Sequence, residues 1–173
     1  MNISNVIMKH FLGEAYKIAR HSPDPSSQNG AALIYDTVAP AKIILGFNHF
    51  YPGVPPEVED RSVKLNRIVH AEHDAILKMA RGGSTEGSIL FSPWACCRAC
   101  AIAIIGAGVG TVVVHKPRMD LTPDRWQTEI TESKNWLRDA GVTVIEYSGK
   151  VSSLPILVSG RLWNPTTLNW VTE

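Results

Sequence analysis

Val69-His70-Ala71-Glu72-His73-Asp74-Ala75-Ile76 and, further on, Cys97-Arg98-Ala99-Cys100 are the stretches from which this chain can be read. They supply one imidazole, one carboxylate and two thiols. His70 and Glu72 are two residues apart, a spacing that separates them within a helix, where side-chain neighbours lie three or four apart. At a first helical turn, however, it can set the histidine on a metal and the carboxylate beside a water held there. Cys97 and Cys100 are three apart, so both sulfurs can face one ion, and a helix N-terminus favours thiolate through its dipole and free N–H groups. Three protein ligands leave a fourth tetrahedral position for water, the layout of a catalytic zinc rather than a structural one. Either motif alone is weak: H-x-E recurs by chance, and C-x-x-C can be a redox pair. Together, each opening a helix, they read as a zinc site. Cys96 and Cys100 are four apart and also share a helix face, so spacing does not choose between Cys96 and Cys97.

The surrounding pattern alternates helices and strands. Residues 5–20 carry Val6, Ile7, Phe11, Ala15, Ile18 and Ala19 at helical spacing. His21 to Asn29 has two prolines and small polar residues and reads as a loop. Ala31–Tyr35 and Lys42–Phe47 read as strands joined by a turn at 36–40. Asn48 to Asn66, with Pro52, Gly53, Pro55 and Pro56, reads as one long loop, a length that points to function. Val69–Arg81 is predicted helical and ended by Gly82-Gly83. Ser88–Ser92 reads as a strand, Cys97–Gly106 as a buried helix, and Thr111–His115 as a parallel strand with an apolar run. Thr122 is predicted to open a helix with Pro123 just inside it, running to Ala140; Val142–Tyr147 is the last strand. The tail after it, with Trp163 and Trp170, is expected to pack back on the body or on a partner subunit.

The chain has 173 residues, which suits a single domain over 1–173, with a core at about 5–146 and a tail at 147–173. Hydrophobic residues make up 45% and charged residues 19%, a globular balance. Net charge is +1, which argues against nucleic-acid partners. The first twenty residues carry scattered charges and no long apolar core, unlike a signal peptide, and no apolar run reaches the roughly 18 residues that span a bilayer. All three cysteines lie within 96–100, which fits a metal site in a reducing compartment better than a disulfide framework. A cytoplasmic location without membrane partners is expected.

H-x-E followed by C-x-x-C resembles the signature of zinc nucleobase deaminases, and other motifs narrow the resemblance to the cytidine and deoxycytidylate deaminase superfamily. Ser22-Pro23-Asp24-Pro25-Ser26-Ser27-Gln28-Asn29-Gly30-Ala31 resembles its S-x-D-P-S-x-x-V-G-A entry to the first strand. Gly46-Phe47-Asn48 resembles its G-Y-N, Val69 to Ile76 its V-H-A-E-x-N-A-I, and Leu90 to Cys100 its strand leading to P-C-x-x-C. The deoxycytidylate deaminase group is the nearest match, over residues 5 to about 146. The departures are Cys96 in place of the proline before the first ligand cysteine, Asn29 in place of valine, and His49 where G-Y-N-G ends in glycine. The last argues against control by dCTP and dTTP.

The resemblance implies an α/β fold, in three α/β/α layers around a mixed five-stranded sheet. It implies zinc (Zn2+) on His70, Cys97 and Cys100, with Cys96 the substitution. It further implies attack of activated water at C4 of cytosine, Glu72 carrying the protons, and conversion of dCMP to dUMP and ammonia. By the same resemblance the Ala71 N–H holds the base carbonyl, Asn48 contacts the sugar, and the loop from Ser22 to Gln28 helps hold the 5′-phosphate. Trp94 corresponds to a tryptophan that can stack on the base, although a tryptophan after a buried strand also suits a core. Arg61, Lys64 and Arg67 could reach a phosphate or simply be solvated. A homo-oligomer, dimer or hexamer, is expected. Two other readings stand beside this one. The first is a deaminase of another cytosine substrate, such as 5-methyl-dCMP, a nucleoside or a polynucleotide; the near-neutral charge disfavours the polynucleotide. The second is a non-catalytic zinc-stabilised binding module, which the intact Glu72 disfavours.

Overall fold

The computed structural model describes residues 3–35, 42–50, 53 and 61–172. The expected turn at 36–40, residues 51, 52 and 54–60 of the expected 48–66 loop and the side chain of Arg61 lie outside the described residues. In chain order the elements are α1 (Asn5–Ala19), β1 (Gly30–Tyr35), β2 (Lys42–Phe47), β3 (His49–Phe50), α2 (Arg61–Arg67), β4 (Ile68–Val69), α3 (Ala71–Ala80), β5 (Ile89–Ser92), α4 (Arg98–Gly106), β6 (Thr111–His115), α5 (Lys116–Met119), α6 (Asp124–Asp139), β7 (Thr143–Tyr147), β8 (Ile156–Val158), β9 (Arg161–Asn164) and β10 (Asn169–Trp170).

The main sheet has five strands in the order β2-β1-β5-β6-β7. β1 runs antiparallel to β2 and β5, whereas β5, β6 and β7 are parallel, so the sheet is mixed, as expected. Its faces follow the period of two. Ala31, Leu33, Leu90, Val112 and Val114 face α3, α4 and α6. Ala32, Ile34, Ile89, Phe91 and Val113 face α1. Burial on both sides explains why β1 and β6 are apolar runs rather than alternating strands.

Two glycines set how closely the helices approach. A Cβ at Gly46 would sit 2.4 Å from the Ala71 carbonyl oxygen and 2.6 Å from the Ala75 nitrogen. A Cβ at Gly30 would sit 2.0 Å from the Ala15 carbonyl oxygen. Thus α3, which opens the zinc motif, rests directly on the β2 backbone, and α1 rests on β1.

Several expectations need correction. The 48–66 stretch is not one loop: it contains β3 and α2, and β3 pairs with β4 through His49–Val69 and Phe50–Ile68. α3 therefore starts at Ala71 rather than Val69, which belongs to that pair. Pro123 sits in extended conformation at the N-cap, with α6 starting at Asp124. Val6 is 78% exposed, and the buried stripe of α1 runs through Met8, Leu12, Ala15 and Tyr16.

The tail forms a second, antiparallel sheet in the order β10-β9-β8. Ile156, Val158 and Trp163 bury against α1 on the face opposite α3. The Trp163 and Tyr16 rings lie 6.1 Å apart. The tail also braces the 22–29 segment: Gln28 N–H donates to the Leu157 carbonyl (2.9 Å), Leu157 N–H to Gln28 Oε1 (3.0 Å) and Ser159 N–H to Ser27 Oγ (3.1 Å).

Candidate active site

Two helix starts converge beside the carboxyl end of β5. His70 caps α3 and Cys97 caps α4, both with extended backbone. Their carbonyls accept from Asp74 N–H (3.0 Å) and Ala101 N–H (2.9 Å), closing each first turn. His70, Glu72 and the two cysteines thus share the positive ends of two helices, where a carboxylate or thiolate is favoured.

His70 Nδ1 lies 3.3 Å from Cys97 Sγ and 3.3 Å from Cys100 Sγ. One ligand atom from each of the three residues falls within 4.8 Å of the others. Ligand bonds of about 2.3 Å to sulfur and 2.0 Å to nitrogen put tetrahedral partners roughly 3.6 Å apart, close to this spacing. One imidazole nitrogen with two thiolates also suits zinc better than a hard cation. The residues present therefore fit the ion. Cys96 is 3% exposed and packs in the apolar core among Ala95, Cys100 and Ala101, so folding separates two cysteines that spacing left equivalent.

The protons of the metal-free cluster are shared unequally. A hydrogen bond from Cys100, opposed by burial and aided by His70, lowers the Cys97 thiol to about 3. The same bond and burial hold Cys100 well above the ordinary thiol range. Burial alone would lower His70, but the Cys97 sulfur beside it raises it to about 9.

Glu72 is 3% exposed. Its Oε1 accepts from Ser92 Oγ (3.3 Å), and Oε2 lies 3.7 Å from Cys100 Sγ. Burial raises its pKa against the pull of His70. Ser92, at the end of β5, also takes a long contact of 3.5 Å from Asn29 Nδ2. Reading the sequence did not single out Ser92; its signal is a polar residue at the carboxyl end of a buried strand, where α/β sheets hold ligands.

These groups open onto a cleft of about 960 Å³ including its mouth. Of the expected substrate contacts, Ala71, Asn48 and Trp94 line it. Ala71 is the first residue of α3, where N–H groups have no partner within the helix. Asn48 Oδ1 accepts from Asn29 N–H (2.7 Å) and Nδ2 donates to the Ser27 carbonyl (2.9 Å), which leaves one lone pair and one hydrogen for a ligand. Trp94 Nε1–H donates to Thr122 Oγ1 (2.8 Å). The structure does not bring Ser22 and Gln28 to the wall. Ser22 Oγ accepts from Asp24 N–H, and Gln28 is turned to the tail. Asp24, Ser26 and Ser27 line the cleft from that loop, and Lys64 Nζ is tied to Asp24 Oδ1 at 2.6 Å. Arg67 is exposed.

Arg118, on the short α5, also lines the cleft, and sequence reasoning missed it. Its guanidinium carbon lies 4.7 Å from the centre of the Trp94 ring. Its position three residues beyond the carboxyl end of β6 is the signal that could have found it.

The profile of the cytidine and deoxycytidylate deaminase zinc-binding region matches residues 7–116, well over half of the chain. No curated protein matches the sequence. Among solved structures, the dCMP deaminase of cyanophage S-TIM5 in apo form is 21% identical, covering 84% of this chain and 100% of that one with a TM-score of 0.63. The same cyanophage enzyme in complex with dCMP and dUMP is 23% identical, with the same coverage and a TM-score of 0.65. The Aspergillus oryzae Rib2 deaminase in complex with DARIPP is 14% identical, covering 84% of this chain and 85% of that one, with a TM-score of 0.55. At these identities the likeness shows a shared fold, the three-layer arrangement around a mixed five-stranded sheet.

Proposed function

The chain belongs to the cytidine and deoxycytidylate deaminase family, and on that premise we propose that it hydrolyses dCMP to dUMP and ammonia. The observation that carries this reading is a buried carboxyl, Glu72, beside a His70–Cys97–Cys100 cluster in an open cleft. A metal site that only staples a fold has no use for such a carboxyl. The solved relative with dCMP and dUMP bound supports a nucleotide as the substrate class.

When held by His70, Cys97 and Cys100, zinc supplies a Lewis acid that makes a water nucleophilic near neutral pH. Glu72 carries the protons. Burial raises its pKa, which strengthens it as the group that accepts a proton and holds it for return. It takes one proton from the attacking water and delivers it to N3 of the ring; it then takes the second from the hydroxyl now on C4, which becomes the carbonyl, and gives it to the departing amine. A C4–O bond forms, the C4–N bond breaks, and ammonia leaves. The Ser92 hydroxyl on Oε1 leaves Oε2 for this traffic. The Ala71 N–H orients the base carbonyl, and the spare valences of Asn48 hold the sugar. Trp94, covered on one face by Arg118, borders the base with its remaining surface.

The test is ammonia release from dCMP, CMP, deoxycytidine, 5-methyl-dCMP and dCTP, on protein of measured zinc content. Preference for dCMP with about one zinc per chain supports the reading. Zinc without turnover of any of the five overturns it. The same reading includes a homo-oligomer, which light scattering of the zinc protein checks.

A further inference from the structure

Arg118 is the most anomalous cation among the described residues. It is 2% exposed, and its Nε and Nη1 have no hydrogen-bond partner among the described residues. A buried charge without a partner is strongly destabilising, and native proteins retain one where it has a use. The other cations of the cleft wall do not share this condition: Lys64 is tied to Asp24, and Arg125 is exposed to solvent. The nearby acids are also engaged elsewhere. Glu72 accepts from Ser92, and Glu129 Oε1 accepts from the Arg98 N–H at 3.2 Å. The Tyr16 phenol is raised by burial and stays neutral, so it brings no counter-charge.

The guanidinium is nevertheless held in place. It stacks on Trp94, and Trp94 is itself anchored through Nε1–H to Thr122. Stacking of this kind fixes the plane of an arginine and favours its charged form. What remains is a pair of N–H donors, on Nε and Nη1, with no acceptor among the described residues, on the wall of the cleft that holds His70, Glu72 and Cys97. A planar fork matches two oxygens of a tetrahedral oxyanion. The 24–27 part of the lining is poorly suited to an anion. Asp24 stands there, its Oδ1 already taking the Ser26 and Ser27 N–H groups (2.8 and 3.1 Å) together with Lys64.

We propose that Arg118, backed by Trp94, is the residue that selects a 5′-phosphorylated substrate by binding its phosphate, a role in which the 22–28 loop was expected to help. This rests on the reading of the chain as a cytosine nucleotide deaminase and names the residue that sets the substrate class.

Two readouts test it on the zinc-loaded protein. One is binding of inorganic phosphate, followed by calorimetry and by tryptophan emission. The other is the ratio of kcat/KM for dCMP to that for deoxycytidine. Arg118→Gln should weaken phosphate binding about 10- to 100-fold and lower the ratio by a similar factor, the loss typical of a hydrogen bond to a charged group. Arg118→Lys, which keeps a cation but not the fork, should fall between. An Arg118→Gln protein that melts cooperatively yet binds phosphate as the wild type does, or that loses dCMP and deoxycytidine turnover equally, overturns the assignment. Should Arg118→Gln fail to fold, Arg118→Lys decides: phosphate affinity and a dCMP-to-deoxycytidine ratio both unchanged in Arg118→Lys overturn the assignment. The two readings fail separately. Phosphate binding that depends on Arg118 without turnover of any cytosine compound sinks the proposed function and leaves this site standing. Turnover of dCMP with an unmoved ratio in Arg118→Gln does the reverse.

Discussion

Nδ1 of His70 lies 3.3 Å from the sulfur of Cys97, across 27 residues of sequence, because α3 and α4 both begin at the same edge of the site. In the metal-free protein this contact joins an imidazole held protonated, at about 9, to a thiol held ionised, at about 3.

Zinc uptake should therefore release protons. Cys97 is already a thiolate at pH 7, but His70 must lose its proton and so must Cys100, whose thiol is held well above its ordinary range. Both groups sit above neutrality without metal, so affinity should rise with pH through 7–8, by up to about 100-fold per unit for two displaced protons. Zinc titration of metal-free protein at pH 7, in buffers of different ionisation enthalpy, should report about two protons per ion. Release of none would contradict these protonation states.

Glu72→Gln should keep the zinc and lose turnover. The amide preserves shape and can still meet the Ser92 hydroxyl but cannot carry a proton. General acid–base loss of this kind is worth about 10²- to 10⁴-fold. Zinc content by mass spectrometry alongside ammonia release checks both halves; an active Glu72→Gln protein would remove Glu72 from its role.

Gly46→Ala should disturb the site without touching it. The added methyl meets the α3 backbone at 2.4 Å, so the helix must lift from β2 and carry His70 and Glu72 with it. Overpacking of this sort costs about 1–3 kcal/mol. Urea unfolding should show that loss, and zinc affinity should fall with it, whereas Gly106→Ala, where a Cβ meets nothing, should leave zinc affinity as it was.

His115 should make the fold acid-sensitive. It is fully buried; its Nε2–H donates to the Gly149 carbonyl (2.8 Å), and Nδ1 accepts from the Tyr16 hydroxyl (2.6 Å). A carbonyl can only accept, so Nε2 carries the hydrogen; burial lowers the pKa from 6.5 to about 4, which keeps the ring neutral at pH 7 and leaves Nδ1 to accept from Tyr16. The unfolded chain takes up the proton below about 6.5 while the folded chain does not, so stability falls as pH drops from 6.5 towards 4. A shift of this size corresponds to about 3 kcal/mol. Denaturant unfolding of wild type and His115→Gln at pH 7, 6, 5 and 4 isolates it: the stability gap should shrink by about that amount towards pH 4. A constant gap would refute the assignment.

Much of the frame was legible from residue order because its causes are local. Apolar alternation and apolar runs marked β2 and β6 with the bounds the structure shows, and β1, β5 and β7 to within one residue. The zinc motif was legible for the same reason: three-residue spacing at a helix start needs nothing from elsewhere in the chain. Short elements were not. β3, α2, α5 and the tail sheet carry too few residues for a period to show, and they exist because partners far along the chain complete them, as Leu157 does with Gln28.

By itself, the sequence determined the class of fold, the chemistry of the metal cluster and the carboxyl beside it. The tertiary structure decided which of two adjacent cysteines faces the ion and which is core. It turned Gln28 away from the cleft to the tail, and brought Arg118 to the wall with no partner for its Nε and Nη1 among the described residues. The physical reason is that spacing along a chain governs which side chains can share a face, whereas packing between distant elements governs which face looks into a cavity and which charges are left without a counter-ion.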